Sequence, residues 1–224
     1  MRFIGETSSD GVTEQLFTLG EIPGVLWTPD DAPGARPLIL MGHGGGQHKK
    51  APGIAARARH FAAEGGFAVA AIDAPHHGDR PKDEEFVRIA TENRARMAGG
   101  EDPAALVAAL HDLLAGQAVA EWQAVITAVQ SLDRVAAGPA GYWGMSLGCG
   151  LGVHGLAETA ARVTAPVQFL LQWDDDLVPR DQGLALFDAL ASAEKTLHAN
   201  PGKHGEVPGF ELDDSLRFFA RHLG

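Results

Sequence analysis

A serine with glycine two residues away on either side, in Gly144-Met145-Ser146-Leu147-Gly148, follows directly on the apolar pair Tyr142-Trp143. That spacing suits a strand that turns at once into a helix, which forces the middle residue into a strained backbone conformation with its side chain at the tip. The two glycines remove the Cβ atoms that would collide at such a turn. Ser146 then presents its Oγ to a substrate, and the N–H of Leu147 points at the same spot, where it can stabilise developing negative charge. The chemistry is nucleophilic attack on an acyl carbon. The chain holds 28 glycines, enough for the pattern to arise by chance. Ser146 therefore needs partners before it carries a function.

A serine hydroxyl is too weakly acidic to attack a carbonyl unaided, so it requires a base and a group that orients the base. Trp173-Asp174-Asp175-Asp176-Leu177-Val178-Pro179 places three carboxylates directly after an apolar run over 167–173. Asn200-Pro201-Gly202-Lys203-His204-Gly205 places a histidine in a glycine-flanked loop after the next such run. The distance between them suits one helix and one strand. A further glycine-rich turn, Gly42-His43-Gly44-Gly45-Gly46, ends the apolar run over 37–41.

These loops need a frame. Segments 12–19 and 22–28 are rich in β-branched and aromatic residues around Gly20, and predict two antiparallel strands. The runs 37–41, 67–72, 167–173 and 195–199, with the one ending at Gly144, predict strands of a parallel sheet. Helical patterns lie between them at 51–64, 147–162 and 181–190, and another closes the chain at 210–223. Alternation of this kind is the mark of an α/β fold. Residues 1–224 read as a single domain. Before the serine strand two helices are expected, one around Leu106 to Leu114 and one around Trp122 to Val129, although one would suffice. The surplus over 79–117, with Phe86, Ile89, Asn93 and Met97 on a helical stripe, is either a cap or a peripheral helical insert.

Composition narrows the partners. A net charge of −11 with no clustered Lys or Arg excludes a phosphate-backbone partner. No apolar run approaches the ~18 residues that suggest a membrane span, and the N-terminus shows no apolar leader core. The lone Cys149 forms no internal disulfide. A soluble, cytoplasmic protein is expected, monomeric or homodimeric.

Taken together, His43-Gly44-Gly45-Gly46, Asp73-Ala74-Pro75-His76-His77-Gly78-Asp79, the Ser146 pentapeptide, and the pairing of the Asp174 and His204 loops resemble the α/β-hydrolase superfamily. Within it the resemblance is to the dienelactone-hydrolase-like and small carboxylesterase branch. The family pattern Asp-x-x-Val-Pro falls on Asp175, which the resemblance makes the acid, with Asp176 next in line and Asp174 a loop carboxylate. It makes His204 the general base. It gives the oxyanion to the N–H of Leu147 and to one from Gly45, with Gly44 second. It gives His43 and His77 turn roles, and implies no metal and no cofactor. A small carboxylic ester is the implied substrate, with thioesters and lactones as neighbours. Trp143, Trp173, Phe86 and Met97 are the candidates for lining its pocket. A small serine peptidase is the alternative enzyme, and a ligand-binding protein on a hydrolase fold the alternative outside catalysis.

One interval departs from the pattern. The family places a further strand and crossover between serine and acid, which would need about 30 to 36 residues. Ser146 to Asp175 holds comfortably only one crossover. Either the sheet lacks a strand there, giving about seven in all, or a segment is missing from the chain.

Overall fold

The structure is a computed structural model, and it describes residues 1–30, 33–101, 103–152 and 160–224. In chain order it holds β1 (Arg2–Ser9), β2 (Val12–Leu19), β3 (Ile22–Pro29), β4 (Leu38–Gly42), α1 (Pro52–Gly65), β5 (Ala68–Ile72) and α2 (Glu84–Ala98). There follow α3 (Pro103–Gln130), β6 (Gly141–Gly144), α4 (Leu147–Gly152), β7 (Val167–Gln172), α5 (Arg180–Ala189), β8 (Lys195–Asn200) and α6 (Phe210–Leu223). These elements form two compact units. One contains Met1–Asp83, Leu114–Gly152 and Leu223–Gly224, the other Glu84–Leu113 and Val153–His222.

The first unit is built on a mixed six-stranded sheet in the order β1-β2-β3-β5-β4-β6. β1, β2 and β3 run antiparallel to their neighbours, and β4 lies parallel to both β5 and β6. All of β4 and β5 is buried, as expected of strands covered on both faces. On one face Leu38, Leu40, Ala68, Ala70 and Ile72 pack with Val125 and Val129 of α3. α1 packs on β3 and β5 and buries Ile54, Ala58, Phe61 and Ala62. It starts at a proline, which needs no partner for a missing N–H, and stops at Gly66 with φ 68°.

The second unit holds α2, the first part of α3, and a parallel pair, β7 and β8, with α5 between them in sequence and α6 after them. The Asn93 amide on α2 donates to the carbonyl of Leu106 on α3 at 3.1 Å.

Three expectations are revised. The strands total eight, six in one sheet and two in another, because β1 was not foreseen. The two helices expected before the serine strand are one, α3, of 28 residues, in which Gly116 makes no break. The helix expected over 147–162 is seen over Leu147–Gly152, and residues 153–159 lie outside those described. Among the described residues no strand lies between β6 and β7, and no helix is long and apolar enough to cross a membrane.

Candidate active site

In the first unit, β6 ends at Gly144 and α4 begins at Leu147, leaving Ser146 in a tight corner with φ 52°. The left-handed region costs an L-residue about 1–2 kcal/mol, so something must hold it there. Close backbone approach does so. A Cβ on Gly148 would lie 2.3 Å from the Gly42 carbonyl oxygen, and one on Gly144 would lie 2.7 Å from the Cys149 nitrogen. The N–H of Met145 donates to Gly42 O at 3.2 Å, and the Tyr142 hydroxyl donates to Gly148 O at 2.7 Å. Both glycines of the pentapeptide are thus required by contact with neighbouring backbone.

The glycine-rich turn after β4 lies against this corner. A Cβ on Gly44 would stand 3.2 Å from Met145 Cε, and one on Gly45 would stand 4.0 Å from Leu147 Cβ. His43 is buried and uses both ring nitrogens: Nδ1–H donates to Gly44 O at 2.8 Å, and Nε2 accepts from the Ala74 N–H at 3.0 Å. That pattern is a neutral imidazole, and burial holds its pKa below the ordinary value. The far end of the turn is tied by Lys49. Its N–H and its Nζ donate to the two oxygens of Asp73, each at 2.7 Å, and Nζ also meets Asp79 at 2.6 Å. Asp79 N–H donates back to Asp73 at 3.0 Å. Sequence reasoning gave Lys49 no role and missed this anchor. The one hint was Asp73 at the end of a buried strand, a carboxylate that needs a partner but does not name it.

In the second unit the Asp175 carboxylate meets the His204 imidazole, Oδ2 to Nδ1, at 2.8 Å. The N–H groups of Leu177 and Val178 donate to Asp175 Oδ1 at 2.8 and 2.9 Å. Burial alone would raise the pKa of Asp175, but the hydrogen bonds from Val178, His204 and Leu177 outweigh it and hold the carboxyl below its usual value. An ionised Asp175 accepts, so Nδ1 is the donor of this bond. Nε2 is buried, with no hydrogen-bond partner among the described residues. Of the neighbouring carboxylates, Asp174 accepts from Gly202 N–H at 3.3 Å, and Asp176 is exposed.

Comparison with solved structures then decides the family. A cold-adapted esterase from an Arctic intertidal metagenomic library, in a PEG-bound complex, is 31% identical over 100% of both chains, with a TM-score of 0.76. The chain belongs to the α/β-hydrolase superfamily. The fold is also that of an acetyl xylan esterase from Paenibacillus sp. R4, at 15% identity, 99% of this chain, 88% of that one and TM-score 0.70. No family profile matches this α/β-hydrolase, and neither does any curated protein.

The aromatic residues of this α/β-hydrolase are placed as follows. Trp143 lies on β6 under the Arg57 guanidinium, 4.6 Å from the ring centroid. Trp173, half exposed beside the Asp175 loop, carries Arg180 over its ring at 4.1 Å. Phe86 and Met97 are half-buried on α2.

Proposed function

We propose that the protein hydrolyses small carboxylic esters through an acyl-enzyme on Ser146. His204 Nε2 takes the serine proton and returns it to the leaving alcohol. Asp175 holds the imidazole in the required tautomer and stabilises its charged form. The N–H groups of Leu147 and Gly45 receive the oxyanion, and Gly44 supplies the alternative donor. Water then attacks the acyl-enzyme with His204 again as base. The observation that carries this reading is the left-handed Ser146 with the Gly44-Gly45 turn packed against the residues beside it. The Asp175–His204 bond and the end-to-end likeness to a solved esterase support it.

Labelling with a fluorophosphonate probe tests it. Wild type is expected to be modified at Ser146, and the His204→Ala variant to lose at least 100-fold in labelling rate, since general-base assistance contributes about 10²–10⁴-fold. A folded wild type that resists the probe would sink the proposal and favour a binding role.

Thioesters and lactones fall within the same chemistry, and a panel of p-nitrophenyl esters, thioesters and lactones ranks them. We assign the segment over 79–117 a part in acyl-length selection through Phe86 and Met97. Their joint replacement by alanine is expected to shift the preferred acyl length on that panel, and an unchanged profile would remove the segment from the site.

A further inference from the structure

The second unit contains a polar seam where a strand face packed on a helix is ordinarily apolar. His198 and Asn200, two residues apart, share one face of β8, and Gln172 of β7 stands in register with Asn200. From α6, Glu211, Asp214 and Ser215 occupy one helical face at spacings of three and four. Glu211 is 1% exposed. Its Oε1 accepts from Asn200 Nδ2 at 2.8 Å, and its Oε2 lies 2.9 Å from His198 Nδ1. Neither partner carries a permanent charge. Among the described residues no Lys or Arg pairs with this carboxylate, so beyond the N-terminal dipole of α6 it has no fixed counter-charge.

Two further observations turn the seam into a site. His198, Glu211 and Asp214 each offer one ligand atom, all within 4.8 Å of one another. Ligands held at ~2.0–2.2 Å by one tetrahedral ion stand roughly 3.3–3.6 Å apart, a spacing that small side-chain rotations reach from here. Ser215, 2% exposed and one turn beyond Glu211 on the same face, has a buried Oγ with no hydrogen-bond partner among the described residues. A metal-bound water would supply that partner.

We propose that His198, Glu211 and Asp214 bind one divalent transition-metal ion that pins the start of α6 to β8. One imidazole with two carboxylates suits zinc, whose remaining position would hold the water beside Ser215. Asp214 also pairs with Arg217 through Oδ1, which leaves Oδ2 for the ion. None of these groups is among those assigned to ester hydrolysis, so the ion is structural and the two proposals stand or fall separately.

Untagged protein, stripped with EDTA and dialysed, is titrated with ZnCl2 by calorimetry, and thermal unfolding is followed at each ratio. One saturable Zn²⁺ per chain is expected, with a rise in Tm, and His198→Ala and Asp214→Asn are each expected to weaken binding at least tenfold. Asp214→Asn touches no buried hydrogen bond, so it decides the matter if His198→Ala fails to fold. No saturable binding by wild type would overturn the proposal. So would wild-type affinity in a folded example of either variant, which would place the zinc on other histidines.

Discussion

Replacing Ser146 with alanine is expected to lower kcat for p-nitrophenyl ester hydrolysis by about a million-fold, with the Tm unchanged. The size follows from how such groups act: nucleophile and base work as a unit, so losing the nucleophile removes nearly all that the unit contributes. Under the proposed mechanism, what remains is binding and the backbone donors assigned to Leu147 and Gly45. A second variant separates chemistry from fold. Ser146 sits at φ 52°, where glycine carries no Cβ penalty. Ser146→Gly should therefore be as inactive as the alanine variant yet more stable by about 1 kcal/mol, a rise in Tm of about 2–4 °C for a chain of this size. Steady-state kinetics and calorimetric scans on the two variants check both halves. Alanine at 146 retaining a tenth of wild-type kcat would move the nucleophile elsewhere.

The corner around Ser146 was legible because its backbone geometry restricts residue type. Only glycine fits at positions 144 and 148, so the sequence there is nearly a statement of the fold. The same holds for the buried strands β4 and β5, whose unbroken apolar runs have no other reading at that length. β1 was missed for the opposite reason. All eight of its residues are exposed, so no apolar alternation marks it. The signal that would have found it is Asp10-Gly11, both at positive φ, the two-residue turn that joins it to β2. The two expected helices join as one because Gly116, the glycine between them, costs only about 1 kcal/mol inside an Ala- and Leu-rich helix. The Asp175 loop was read through a family pattern, and its geometry adds what no pattern holds. Two backbone N–H groups and the His204 ring converge on one carboxylate, while Asp174 accepts from Gly202 instead and Asp176 is exposed.

The anchor of the glycine-rich turn was invisible for a different reason, since it joins residues 24 apart through a buried ion pair. Its disruption carries the largest expected effect on stability. Asp73 is wholly buried, and Lys49 is 5% exposed. Lys49→Met would leave a buried carboxylate without its counter-charge, held only by the N–H groups of residues 49 and 79, a loss of about 3–5 kcal/mol, which is a large share of what holds a domain together. Adding Asp73→Asn removes the stranded charge, so the double variant should recover part of that loss, a coupling that a urea denaturation cycle measures. Asp79→Asn should cost little, because its carboxylate is 79% exposed and solvent already screens it. The pH dependence has a defined sign. Burial disfavours the charged amine, but the hydrogen bonds it donates to Asp73 and Asp79 win and raise its pKa above the ordinary 10.5. The stability this contributes is complete below 10.5 and is lost only as pH climbs through the raised folded value. Wild type should therefore lose stability above that value while Lys49→Met shows no such loss from this group. A Lys49→Met loss below about 1 kcal/mol would mean that the N–H groups of residues 49 and 79 with water, and not the Lys49 amine, compensate Asp73. The turn carrying Gly44 and Gly45 would then be held by the bonds of His43 to Gly44 and Ala74 and by the residue-49 N–H on Asp73, with no need of the ion pair.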